Sequence, residues 1–328
     1  MTKQTSKNDN MVYDAESQWL TVTGMIAKDL KTHQLKPRPK RGDFFAARFD
    51  DLSGNTTLGC HVGEMPGGKN IGHRHVDEAI IMTLKGSGHS VLYQADNTRN
   101  WPAQHEIEWQ EGSLIVIPIN AYHQHFNDKP YEVPVRQLAI KNVPLLRTVF
   151  NDRAVIYANP HRFYERYHDE DDYFGTNEKI GERQLRTNFV KDLRKVFLDS
   201  WPERGQGVSS MFFSMGGMCT LRPHVTELAP EGRTTPHRHL REELIYILSG
   251  RGYTRIWQDE GREVRIDWEE GDLLSPPLNA WHEHVNVEKG VPCRYYSVES
   301  VILDRLFDNP TFVENNDFVF RDRFSVEQ

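Results

Sequence analysis

The feature that most constrains this chain is an internal duplication, because its two halves match segment by segment along most of their length. MIAKDLKTHQLKPRPKRG from Met25 is echoed by FVKDLRKVFLDSWPERG from Phe189, and GHRHVDEAIIMTLKGSG from Gly72 by PHRHLREELIYILSGRG from Pro236 without a gap. EGSLIVIPINAYHQHFN from Glu111 matches EGDLLSPPLNAWHEHVN from Glu270, and VPVRQLAIKN at Val133 matches VPCRYYSVES at Val291. A repeat of this length is one folding unit used twice. At 328 residues each copy is long enough to bury its own core. The division it predicts is an N-terminal tail over residues 1–24, one domain over 25–160, a linker over 161–188 and a second domain over 189–328.

Within each copy the core is written in short runs of β-branched and aromatic residues, such as EELIYIL, GYTRIW and REVRIDW, broken by Gly, Asp, Asn and Pro. That pattern predicts an all-β unit, an antiparallel barrel or sandwich. Helical signals are confined to the flanks, an opening helix ending in a proline turn and closing helices at LLRTVF and ILDRLF, and to the charged stretch between the halves, roughly His161 to Arg194. The charged run HDEDDYFGTNEKIGE reads as solvated linker. The first ten residues, MTKQTSKNDN, read as a frayed tail.

Charge and cysteine content remove several function classes. A net charge of -7 with both signs interspersed gives no basic face for nucleic acid or an anionic membrane. Cys60, Cys219 and Cys293 are odd in number and far apart, so neither a disulfide framework nor a thiolate zinc site is predicted. A cytoplasmic protein fits this usage. No window approaches the roughly 18 apolar residues of a membrane span.

The chemistry-bearing residues cluster in the second copy. His237 and His239 are two apart, so on a strand both imidazoles project from one face, and Glu243 continues that register. His282 follows the turn SPPLNAW. Three imidazoles and a carboxylate suit Fe(II), Mn(II), Zn(II), Ni(II) or Cu(II) rather than calcium, and leave positions open on an octahedral ion. His284 and, in the first copy, His125 lie two residues beyond a ligand position and share its strand face. They are candidate pocket acids or bases, or second hydrogen-bonding partners that orient a ligand. Arg294 and Arg136 are candidate anchors for a substrate carboxylate. Ile245 and Ile247 would form the pocket wall, and Phe212, Phe213, Trp257 and Tyr296 are candidates to face a ring.

These spacings resemble the two motifs of the cupin superfamily. His237-x-His239, Glu243 and Gly250 stand in the first, and Gly271, Pro277, Asn279, His282 and Asn286 in the second. Asn279 replaces the usual glycine, and Asn tolerates the left-handed turn such a position needs. The resemblance implies two tandem jelly-roll barrels, a bicupin, with the metal in the barrel mouth.

The first copy departs from this set. His73, His75 and His123 align with the imidazoles, but Ala79 stands at the Glu243 position, and the neighbouring Glu78 belongs to the opposite strand face. The site is therefore either a three-histidine metal site or one that has lost its metal. HRH followed by Ala, with YHQH and WHEH in the second motifs, is similar to the gentisate 1,2-dioxygenase group of ring-cleaving bicupins. Those enzymes usually carry iron in the N-terminal half, whereas the full ligand set here is C-terminal. The reading that follows is an Fe(II) dioxygenase acting with O2 on a small aromatic or enolic substrate. A Mn, Zn or Ni lyase, decarboxylase or isomerase, and a non-catalytic small-molecule binder, are the alternatives. Exposed sheet edges predict a homo-oligomer.

Overall fold

The computed structural model describes residues 20–39, 41–93, 103–167, 170–258, 261–307 and 312–314. Each half closes into an antiparallel β-barrel. In the first, Phe45–Leu52, Gly59–Met65, Val135–Lys141, Ala79–Lys85 and Leu114–Ile117 form one wall, and Gly68–Lys69, Tyr122–Asn127, Ser87–Tyr93 and Ala103–Gln110 the other. In the second, Gly205–Ser214, Leu221–Thr234, Cys293–Ser300, Glu243–Ser249 and Leu273–Leu274 lie side by side. His237–His239, Trp281–Asn286, Arg251–Trp257 and Val264–Glu269 complete that barrel.

The strand Glu243–Ser249 is buried on both faces, and its period-2 alternation separates two cores. Ile245 and Ile247 point into the barrel among Val208, Leu228, Trp268 and Tyr295. Leu244, Tyr246 and Leu248 point the other way and join Ile80, Met82, Leu84, Leu138 and Ile140 of the first barrel in one continuous cluster. Burial of each such side chain contributes about 1.5–3 kcal/mol, so the barrels are held face to face by a shared hydrophobic layer.

The segments that open each copy fold differently from the expected helices. Ile26–Ala27 pairs with Leu273 and Leu274 of the second barrel, and the equivalent Phe189–Val190 pairs with Leu114 and Ile115 of the first. The exchange continues with Leu30 N–H donating to Gly271 O at 2.7 Å and Leu193 N–H to Gly112 O at 2.9 Å. A helix there would leave the edge of the opposite barrel unpaired, whereas an extended segment satisfies both backbones. The closing segments do form helices, Val143–Phe150 and Ile302–Phe307.

Two buried carboxylates tie the barrels together in the same reciprocal way. Glu242 of the second accepts hydrogen bonds from the N–H groups of Thr56, Thr57 and Leu58 and from both threonine hydroxyls. Glu78 of the first accepts from the N–H groups of Cys219, Thr220 and Leu221, the Thr220 hydroxyl and Arg166. The stretch 161–188 is less solvated than its acidic composition predicts. Tyr167 and Tyr173 are buried in the shared core, and Asn177–Gly181 pairs with Gln184–Thr187. Aromatic side chains inside an acidic run gain more from burial than the run loses by partial desolvation. The expected frayed tail, residues 1–10, lies outside the described residues, while Thr21–Gly24 pairs with Phe45–Leu52. Cys60, Cys219 and Cys293 are free thiols. Among the described residues no helix is long and apolar enough to cross a membrane.

Candidate metal centre

In the second barrel His237 and His282 face each other across a strand pair, and His239 follows two residues along the same face. The turn that delivers His282 is closed by Ala280 N–H to Pro277 O at 3.1 Å, with Asn279 in the left-handed region at φ 58°. Each ligand-position imidazole is oriented through Nδ1, toward the carbonyl of Thr235 for His237 (2.8 Å), Arg241 for His239 (3.0 Å) and Ala280 for His282 (2.9 Å). With Nδ1 donating, the Nε2 lone pairs are left to converge, and the three rings place ligand atoms within 4.8 Å of one another. Glu243 adds a carboxylate, Oε2 lying 3.6 Å from His239 Nε2, while Oε1 is held by the Ser297 hydroxyl.

The electrostatics suit a cation. Burial holds His237 and His282 well below the usual imidazole value, the neutral form that ligates. Burial alone would raise Glu243, but His239, His224 and His282 outweigh it and hold the carboxyl well below its ordinary range. His282 Nε2 is buried with no hydrogen-bond partner, a cost that a bound ion would remove. Three nitrogens, an oxygen and this orphaned lone pair fit a divalent transition metal.

A partner layer surrounds the ligands. Trp268 Nε1 donates to Thr254 Oγ1 at 3.0 Å, and Thr254 Oγ1 lies 2.8 Å from His284 Nδ1. With the hydroxyl accepting from the indole and its hydrogen directed to Nδ1, the remaining proton of His284 lies on Nε2. Burial lowers the His284 pKa to about 4, so the ring is neutral across the physiological range. Glu299, directly opposite Glu243, is paired with Arg222 at 2.5 Å and Arg241 at 3.6 Å. Arg204, from the turn Pro202–Arg204, rests its guanidinium on His237 Nε2.

The first barrel repeats the scaffold with different contents. Nδ1 of His73, His75 and His123 faces the carbonyls of Ile71, Asp77 and Ala121, and the rings again converge within 4.8 Å. Ser90 and Trp109 take the places of Thr254 and Trp268 behind His125. Ala79 provides no carboxylate, and Glu78 is committed to the opposite barrel. Lys141, at the position equivalent to Glu299, places Nζ 3.1 Å from His75 Nε2 and 3.1 Å from Asp77. Burial holds His73, His75, His123 and His125 well below the usual imidazole value. The cavity beside them is about 40 Å³, room for about three or four waters at ~10–15 Å³ each.

Comparison with known proteins agrees with this architecture. Residues 224–299 match the Cupin domain family, and residues 61–180 match the Auxin binding protein family. Oxalate decarboxylase from Lactobacillus farciminis superposes with a TM-score of 0.55 at 13% identity, covering 89% of this chain and 88% of that one. The chain has the bicupin fold. Among curated proteins, this bicupin is 24% identical to 5-aminosalicylate 1,2-dioxygenase of Comamonas sp over 235 residues, 65% of this chain and 58% of that protein. It is 40% identical to acireductone dioxygenase of Rattus norvegicus over 53 residues, 16% of this chain and 30% of that protein. The matches thus span less than two thirds of either curated relative.

The bicupin's two barrels gather most, but not all, of the residues expected at a site. His237, His239, Glu243, His282 and His284 converge in one barrel, and His73, His75, His123 and His125 in the other. Arg294 is a correction. It faces Ser249, five positions from the Glu243–Glu299 pair, or roughly 17 Å along the strand. Its guanidinium is spent on Glu227 and on the carbonyls of Leu193, Arg194 and Val196. Arg136 does the same with Glu64 and the carbonyls of Leu30 and His33. Both arginines are staples for the exchanged segments. Tyr296 and Phe213 belong to the shared core, and Trp257 stacks on Trp281. Arg204 and His224 reach the second site without having been singled out. Their signal was in the repeat, where Arg204-Gly205 aligns with Arg41-Gly42 and His224 with His61.

Proposed function

We propose that this bicupin is a metal-dependent dioxygenase whose C-terminal barrel binds Fe(II) through His237, His239, Glu243 and His282. The observation that carries the reading is the convergence of three correctly oriented imidazoles on one buried point, with the Glu243 carboxylate 3.6 Å from His239 Nε2 and His282 Nε2 unsatisfied. Bound there, Fe(II) would supply open coordination positions and electrons for O2 chemistry on a small aromatic or enolic substrate. Curated relatives matched over 235 and 53 residues are named 5-aminosalicylate 1,2-dioxygenase and acireductone dioxygenase.

The chain's own residues have separable roles in this reading. Ser297 orients Glu243 through a hydroxyl. His284 presents Nε2–H toward the site and donates to an anionic oxygen of the substrate, its tautomer fixed by Thr254 and Trp268. Arg204, freed from His237 when that nitrogen is ligated, turns its paired donors to a substrate carboxylate. The buried barrel wall of Ile245 and Ile247 excludes water beneath the ligands.

The test is oxygen uptake by Fe(II)-loaded protein with 5-aminosalicylate, gentisate, salicylate, a catechol and a 1,3-diketone. Uptake with at least one compound, lost in Glu243→Ala, is the expected result. The oxalate decarboxylase likeness in fold supports one rival, a redox-neutral lyase. Turnover of a carboxylic acid without O2 consumption would establish that rival and remove the dioxygenase reading.

A further inference from the structure

We infer that the chain takes a single metal ion, in its C-terminal barrel, and that in the N-terminal barrel the Lys141 ammonium occupies the place of the ion. The inference rests on the proposed metal role of the C-terminal site. It departs from what three histidines in a cupin barrel would suggest, because the remaining groups do not fit a divalent cation.

The two barrels differ at paired positions whose charges are reversed. In the C-terminal barrel the acid is on the central strand and the base on the loop: Glu299 pairs with Arg241. In the N-terminal barrel the acid is on the loop and the base on the strand: Asp77, fully buried, pairs with Lys141 at 3.1 Å. Strand positions look into the site, since Glu299 is opposite Glu243 and Lys141 is opposite Ala79. One barrel therefore lines its centre with two carboxylates, and the other with an ammonium and a methyl group. Lys141 also uses the His75 Nε2 lone pair that an ion would need.

Neither of the two acids beside Ala79 compensates. Glu78, next to Ala79, is held by Cys219, Thr220, Leu221 and Arg166 and faces the opposite barrel. Asp77 lies on the Nδ1 side of His75, away from the converging nitrogens. Arg204 on His237 is not an equivalent obstacle. It stands on a surface turn beside exposed Pro202 and Glu203, and the site it touches keeps Glu243. Lys141 is rooted on a central strand and tied to a buried acid, and a like charge a few ångströms from a divalent ion opposes binding strongly in such a medium.

The test counts metal in the full chain after chelation and reloading with Co(II), by elemental analysis, with thermal unfolding as a check on each variant. Wild type is expected to hold about one equivalent, lost in His237→Ala and retained in His73→Ala. Replacing both charges, in Asp77→Leu/Lys141→Met, avoids a lone buried ion and is expected to raise the content to about two. An unchanged content in a folded double variant overturns the role given to Lys141. About two equivalents in wild type, one lost in each histidine variant, overturns the inference and leaves the C-terminal site standing. One equivalent that survives His237→Ala and disappears in His73→Ala overturns both.

Discussion

Replacing Glu242 by glutamine tests the tie between the barrels with a change of almost no volume. In the native chain Oε1 accepts from Thr56 N–H and Oγ1, and Oε2 from Thr57 N–H, Thr57 Oγ1 and Leu58 N–H at 2.8, 2.8 and 2.9 Å. Glutamine keeps one acceptor oxygen, which turns to the Thr57 and Leu58 set, and points its NH2 at Thr56. The Thr56 N–H then faces a donor. A donor left unsatisfied costs about 1–3 kcal/mol, so the change should cost ~2 kcal/mol. For a chain of this size that is a fall in Tm of ~4 °C, at about 2 °C per kcal/mol. Differential scanning calorimetry reads it directly, and Glu78→Gln should behave alike. A Glu242→Gln variant melting within about 1 °C of wild type would refute the argument, because the donor would then have found water and the carboxylate would not be holding the barrels.

Three further outcomes follow from the geometry. Ser297→Ala removes the hydroxyl that orients Glu243 and should weaken metal affinity by ~10-fold, measured by competition with a chromogenic chelator. Thr254→Val releases the tautomer of His284 and should lower kcat by ~100-fold while metal content stays at the wild-type level. Glu299 is drawn down to about 2 because Arg222 and Arg241 outweigh the raising effect of burial. Its folded value lies below the ordinary 4.5, so the unfolded chain binds the extra proton and this contribution is lost as pH falls from about 4.5 toward about 2. Urea unfolding across that window should show the loss in wild type and a flatter dependence in Glu299→Gln.

Much of this architecture was legible before any coordinates, for identifiable reasons. The repeat fixed the number of barrels, and the HxH spacing with Glu243 and His282 identified the converging set, because period-2 alternation states which side chains share a face. Asn279 was read correctly as a left-handed turn residue. What failed to show were properties that depend on the other barrel. Ile26–Ala27 and Phe189–Val190 look locally like helix starts, yet each completes a sheet whose edge is more than 70 residues away in sequence. Arg294 was indistinguishable from a substrate anchor because its carbonyl partners lie on an exchanged segment. Lys141 was not singled out in the sequence, and its meaning emerges only against Glu299 at the same position of the second copy.

The reciprocal ties carry a consequence for the origin of the chain. Glu242 grips residues 56–58 while Glu78 grips 219–221, and Ile26–Ala27 and Phe189–Val190 trade places. Contacts of the form i with j and j with i define an isologous interface, the arrangement of a twofold-symmetric dimer. The polypeptide is thus a dimer of itself joined into one chain, and produced as two separate polypeptides its halves should seek each other rather than fold alone. Two copies in one chain can differ where two copies of one subunit cannot, and Lys141 and Glu299 at the same position of the two barrels are such a difference.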